Sequence, residues 1–310
     1  MIGVVWKAEL DPHILCHMAE IAADAYPPTP YDLGWLRLTH ISHSWRAALL
    51  SPDMRPIMAS LWARVCCTFP SEDAVATLSD RAGQEALIVS HSARLSKDHE
   101  NVLIHALASR LASVRVLSIP AHSYNWSSLL TSKYLPQLDQ LFLEDPIPIS
   151  SETLYEESFA LEEPLVAPKL KSLHLRGGRL LSVDAPSLVT MILTNIRTST
   201  HRILDLVRWC PRLQSLDIDS GTMLSGTRHS EAHVYLPDLK TLRLCLHESV
   251  RRELMAGMVY PQDVQVEEAD EVGIDGAPLT RALVLPLVMM NHLAPGEEPV
   301  ELPPYSVLPP

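Results

Sequence analysis

The stretch Pro168-Lys169-Leu170-Lys171-Ser172-Leu173-His174-Leu175 has the form Pro-x-Leu-x-x-Leu-x-Leu, and the chain repeats it. Further copies fall at Pro136, Leu138, Leu141, Leu143; at Pro186, Leu188, Met191, Leu193; at Pro211, Leu213, Leu216, Ile218; and at Pro237, Leu239, Leu242, Leu244. Val114, Leu117 and Ile119 make an earlier copy without proline. Successive prolines stand 32, 18, 25 and 26 positions apart by their numbering. A recurrence of this length marks stacked supersecondary units, each burying its apolar face against the next. Side chains along a strand alternate between faces, so Leu173 and Leu175 point into one layer and His174 to the other side. The proline lacks an N–H and disfavours helix in the residue before it. It is therefore expected to end an incoming helix and begin an extended approach.

Helical spacing fills the intervals: Trp126, Leu129, Leu130 and Tyr134; Ile203, Leu204, Leu206, Val207 and Cys210; and Val250, Leu254 and Met258. Val264 and Val266 suggest a last strand. Alternating strand and helix predict an α/β fold with a curved parallel sheet covered on its outer side. The period and pattern resemble a leucine-rich repeat, here irregular, over residues 111–270.

The chain has 310 residues, 47% hydrophobic and 20% charged, a globular composition with room for a large core. Lys and Arg number 25 against 37 Asp and Glu, a formal net charge of −12. Such a surface repels polyanions, so neither nucleic acid nor an anionic membrane is an expected partner. Five cysteines without a C-x-x-C pair read as reduced thiols of cytoplasm or nucleus. The opening residues have no signal-peptide pattern, and the longest apolar run, Ala282 to Met290, is interrupted by Pro286 and is far short of the ~20 residues a spanning helix needs.

Ahead of the repeats, Asp11 as N-cap and Pro12 at the first helical position open a helix with Ile14, Leu15, Met18 and Ile21 at three- and four-residue steps. A turn-rich break follows over Tyr26 to Gly34. Leu36 to Leu50 reads as a second amphipathic helix with Leu38, Ile41, Trp45, Ala48 and Leu49 on one face. Ser51-Pro52 stops it, and a third helix runs through Ile57, Leu61 and Trp62 to Val65. These three helices, residues 1–66, resemble an F-box. The likeness rests on the first helix, on Leu38-x-x-Ile41-Ser42-x-x-Trp45-Arg46, on Ser51-Pro52 and on Leu61-Trp62. The segment departs from that family in carrying Asp11 and His13 where it has leucine and an acidic residue, and in a longer Pro52 to Leu61 stretch.

The resemblance implies a non-enzymatic substrate-recognition subunit of a cullin-RING (SCF-type) ubiquitin ligase. The adaptor contacts it implies are Pro12, Ile14, Leu15, Met18, Leu38, Ile41 and Trp45. The alternative is a leucine-rich-repeat interaction scaffold unconnected with ubiquitin, the helices serving only to cap the repeats. Residues 67–110 read as a helical bridge or a degenerate first repeat: a helix capped by Ser71 and ended by Gly83, a short strand Ala86 to Val89, and a helix through Val102, Leu103, Ala106, Leu107 and Leu111. Residues 271–310 form a C-terminal segment with a Pro-rich tail.

No phosphate-binding glycine loop, nucleophile elbow or H-E-x-x-H motif occurs, and no enzyme activity or cofactor is expected. His13, Cys16, His17, His40 and His43 have helical spacing but no defined ligand set, so no metal is assigned. The residues between the strand leucines are Ser118, Phe142, His174, Ile192, Asp217 and Arg243; the next column is Pro120, Glu144, Arg176, Thr194, Asp219 and Cys245. A protein target is expected on these columns, at Phe142, Glu144, His174, Arg176, Ile192, Asp217, Asp219 and Arg243, with Phe142 and Ile192 as apolar anchors in a polar rim. An enzyme site assembled from His174, Asp217 and Asp219 is the remaining rival.

Overall fold

A computed structural model of the chain describes residues 10–91, 96–120, 130, 133–145, 164–177, 182–196, 198–219 and 233–269. The C-terminal segment and tail, Gly178, and most of the helix expected over 126–134 lie outside the described residues. The protein is α/β, built on one parallel eight-stranded sheet.

The N-terminal part begins with α1, Pro12–Ala25, whose cap is Asp11: its carboxylate accepts from the N–H of His13 at 2.8 Å. Leu15, Cys16 and Ala19 form its buried face. The single helix expected over 36–50 is instead two elements, a 3-10 helix at Gly34–His40 and α2 at His43–Leu49. Ser42 makes the break, because its extended backbone and its hydroxyl, which accepts from the Trp45 N–H at 3.2 Å, start a new helix. A short 3-10 turn, Pro52–Met54, leads into α3, Arg55–Val65. Trp62 of α3 is 2% exposed and its ring lies 5.1 Å from that of Trp35. The bridge contains α4, Glu72–Ala82, capped by Ser71 and ended by Gly83 at φ 63°. It continues into β1, Leu87–Ser90, and α5, Lys97–Ala108. Arg110 donates to the Ser79 and Gly83 carbonyls at 2.8 and 2.7 Å, tying the end of α4 to the sheet.

The sheet strands are β1, β2 (Val114–Pro120), β3 (Gln140–Asp145), β5 (Ser172–Gly177), β7 (Thr190–Thr194), β8 (Ser215–Asp219), β10 (Thr241–Cys245) and β12 (Gln265–Ala269), all parallel and in that order. Each copy of the phrase supplies one strand. Register pairs Leu117, Leu141, Leu173, Met191, Leu216 and Leu242 across neighbouring strands, and all six are at most 1% exposed. Burying one such side chain is worth about 1.5 to 3 kcal/mol, so this row is a main source of the sheet's stability. α6, Thr200–Arg208, and α7, Glu248–Ala256, cover the same side through Ile203, Val207, Val250 and Leu254. One continuous core joins these residues to Trp62 and Leu15 of the N-terminal helices.

The prolines do something other than end helices. Short parallel pairs precede them: β4 (Leu165–Val166) with β6 (Val183–Asp184), and β9 (Val234–Tyr235) with β11 (Met258–Val259). Tyr134, expected on a helix, bridges Val166 in the same way, and Met258 leaves α7 for β11. Among the described residues, Pro211 follows a helix closely, three positions after the end of α6. In every copy the residue before proline accepts from the leucine two after it, as in Ala167 O to Leu170 N at 3.0 Å and Leu236 O to Leu239 N at 3.3 Å. Proline is thus the second residue of a β-turn, where its fixed φ suits the geometry and its missing N–H costs nothing.

Candidate functional site

The parallel register carries the alternate residues of each strand into rows on the sheet face opposite the leucines. One row runs Ser118, Phe142, His174, Ile192, Asp217, Arg243, Glu267; the next runs Pro120, Glu144, Arg176, Thr194, Asp219, Cys245, Ala269. All eight residues expected to meet a target therefore stand on one face, in the order the phrase dictates. Glu267 is a further rung, hidden in the sequence within an acidic run; its place two residues after the strand position of Gln265 was the available signal.

Phe142 meets His174 edge to face, ring centroids 4.7 Å apart and planes at 78°. His174 is 8% exposed and its Nε2 has no hydrogen-bond partner. Burial lowers its pKa to about 4, with the nearby Arg176 charge adding to the effect. Arg243 pairs with Asp217 at 3.4 Å and Arg176 with Glu144 at 3.6 Å. Burial raises the Asp217 pKa against the pull of Arg243, and Asp219 and Glu267 push it the same way as burial. His174 and Asp217 lie on β5 and β8 with Ile192 of β7 between them, so the triad His174, Asp217 and Asp219 is not assembled for proton transfer.

The second surface is on α1. Ile14, Met18 and Ile21 are 52%, 38% and 61% exposed at spacings of four and three, an apolar stripe along one side of the helix. Pro12 and Ile41 are also exposed. Leu15 is not part of it: it is 2% exposed on the opposite side with Cys16 and Ala19. Leu38 and Trp45 are half-buried against the core. Ile21 belongs to the stripe and was not among the expected contacts. The histidines considered for metal are dispersed, His17 pairing with Glu20 at 3.3 Å. Among the described residues no group of three or more His, Cys, Asp or Glu is placed to hold a metal ion. No described helix is long and apolar enough to cross a membrane.

Two features under the joint of helices and sheet escaped the sequence. The Cys66 and Cys67 Sγ atoms lie 3.4 Å apart, and the rings of His91 and His99 are 5.4 Å apart. Burial, then the His99 charge, lower the His91 pKa to about 4. Comparison with models of known protein families, with curated proteins and with solved structures returns no match for this chain.

These imidazoles set a pH dependence. An unfolded histidine takes its proton near pH ~6.5, whereas folded His91 and His174 do so only near pH 4. Between those values the unfolded state holds more protons, so stability falls as the pH drops from about 6.5 toward 4. The raised pKa of Asp217 acts in the opposite sense. Thermal melts across this range should show a shallower decline for His174→Gln than for the wild type; parallel curves would refute the assignment.

Proposed function

We propose that the protein is a non-catalytic substrate-recognition subunit of a cullin-RING (SCF-type) ubiquitin ligase. In this reading the N-terminal helices are an F-box and dock on the ligase adaptor. The sheet is an irregular leucine-rich-repeat solenoid whose open face holds a protein target, so that ubiquitin transfer gains from proximity. The observation that carries the proposal is the stripe of Ile14, Met18 and Ile21, held outward by a helix whose other face is locked into the core. Three large apolar side chains aligned on one exposed helix face mark a surface made to be covered. Adaptor contacts then fall on Pro12, Ile14, Met18 and Ile41, joined by Ile21. Target contacts fall on Phe142 and Ile192, rimmed by Glu144, Arg176, Asp217, Asp219 and Arg243.

The test uses purified chain and purified adaptor. The wild type should form a complex on gel filtration. The double variant Ile14→Asp/Ile21→Asp should weaken it roughly 100-fold or more, as expected when two buried contacts worth about 1.5 to 3 kcal/mol each are lost. Its melting temperature should stay near that of the wild type, because both positions are exposed. A wild-type chain that forms no complex at micromolar concentration removes the ligase reading and leaves the interaction scaffold. A double variant that binds like the wild type places docking elsewhere.

A further inference from the structure

A pocket of about 340 Å³ opens between the turn joining α2 to α3 and the outer side of α4. None of its lining residues belongs to the α1 stripe or to the open sheet face, so it is a third surface besides those two. Its size is at the small end of the roughly 300–1,000 Å³ typical of ligand sites. Leu50 and Pro52 give it an apolar side, and Arg55 and Arg81 a cationic one.

The arginines are held but not neutralised. The Arg81 guanidinium lies 5.1 Å from the centre of the Trp62 ring, a cation–π contact on a tryptophan fixed in the core. Arg55 donates to the main-chain carbonyl of Asp80, which satisfies a donor without cancelling its charge. Arg46 stands close enough that its charge, after burial, lowers the Arg81 pKa. Among the described residues none of these three has a carboxylate within ion-pair distance, whereas Arg37, Arg64, Arg176, Arg208 and Arg243 each have one. Asp80 is the one carboxylate lining the pocket, so the local charge remains positive in a chain of net charge −12. Arg81 is half-buried while Arg46 and Arg55 are exposed, and like charges brought together are unfavourable alone and favourable once an anion joins them. Guanidinium groups meet phosphate and carboxylate oxygens through paired, charge-assisted N–H donors, which makes them suited to an oxyanion in particular.

We infer that this pocket binds a small organic oxyanion, a phosphate or carboxylate carried on an apolar group, with Arg55 and Arg81 holding the oxyanion and Leu50 and Pro52 covering the apolar body. The two anion types are separated by experiment. Titration calorimetry of the full chain at low salt uses phenyl phosphate, benzoate, inorganic phosphate and phenol. One of the two aryl anions should bind, inorganic phosphate should bind at least tenfold more weakly, and phenol should give no heat. Arg55→Met and Arg81→Met should each weaken the aryl anion about tenfold or more, near the value of one charge-assisted hydrogen-bond pair. Asp80→Asn should tighten it severalfold. Arg81 also packs on Trp62, so thermal melts accompany that variant, and Arg55→Met and Asp80→Asn decide the matter if it is unstable. Phenol matching the aryl anions, no binding by either anion, or unchanged affinity in both Arg55→Met and Asp80→Asn would overturn the assignment.

Discussion

Leu173→Asp should leave the chain without a cooperative unfolding transition. Leu173 is fully buried in the row that runs from Leu117 to Leu242, flanked by Leu141 on one strand and Met191 on the other. Removing a buried leucine side chain costs about 2 to 5 kcal/mol, and an aspartate in its place adds the cost of an unpaired buried polar or charged group, several kcal/mol more. Together these approach the whole stability of a typical protein, about 5 to 15 kcal/mol. Circular dichroism melts provide the measurement, with Arg176→Gln as the comparison. Arg176 lies on the same strand, exposed on the other face, and its ion pair with Glu144 is a surface one, so that variant should change stability by no more than about 1 kcal/mol. A soluble Leu173→Asp protein with an unchanged melting temperature would contradict the layer assignment.

Gly34→Val should be the most damaging change in the N-terminal part outside its core. Gly34 has φ +51°, a conformation that β-branched residues rarely adopt, and a Cβ there would lie 2.5 Å from the Tyr26 carbonyl oxygen and 2.7 Å from main-chain atoms of Pro27 and Pro28. These are backbone atoms of a proline-rich loop and cannot swing aside. The residue after Gly34, Trp35, closes that loop through its N–H to Tyr26 O at 2.9 Å and packs its ring on Trp62. The strain of the substitution and the loss of this closure should total about 3 kcal/mol, lowering the melting temperature by roughly 6 to 12 °C. Trp35 should become solvent-exposed and the tryptophan emission shift to the red. Gly257→Ala is the informative contrast: its Cβ would meet the side-chain methyls of Leu204, at an ordinary φ of −82°. A flexible side-chain end can move, so the cost there should be smaller. Equal effects at the two glycines would mean that the backbone clash is not what matters.

The α1 stripe shows where periodicity stops being informative. Apolar residues at 14, 15, 18 and 21 satisfy helical spacing, yet they divide between two sides, Leu15 going inward with Cys16 and Ala19 and the others outward. A helix with apolar residues on two faces does not itself say which one meets the core; the packing of the neighbouring elements does. The same holds for Leu36 to Leu50, where a good helical pattern is cut at Ser42 because the cap and the tight 3-10 turn satisfy backbone groups that a continuous helix would have placed differently. A proline marks a helix end only where a helix precedes it, and short extended pairs or a bridge precede most of these prolines.

The sheet is legible in the residues alone: one strand per phrase, a leucine row inward, and a face running from Phe142 to Arg243 in fixed order. This is so because strand alternation is a property of adjacent residues, and equal phrases stacked in parallel align equal positions. Packing in three dimensions settles which side of α1 is left bare, places Glu267 at the end of the open row, and brings Arg55 and Arg81 to one pocket with Arg46 near Arg81. Those outcomes depend on residues from separate helices meeting in space, through packing and burial that no local spacing records.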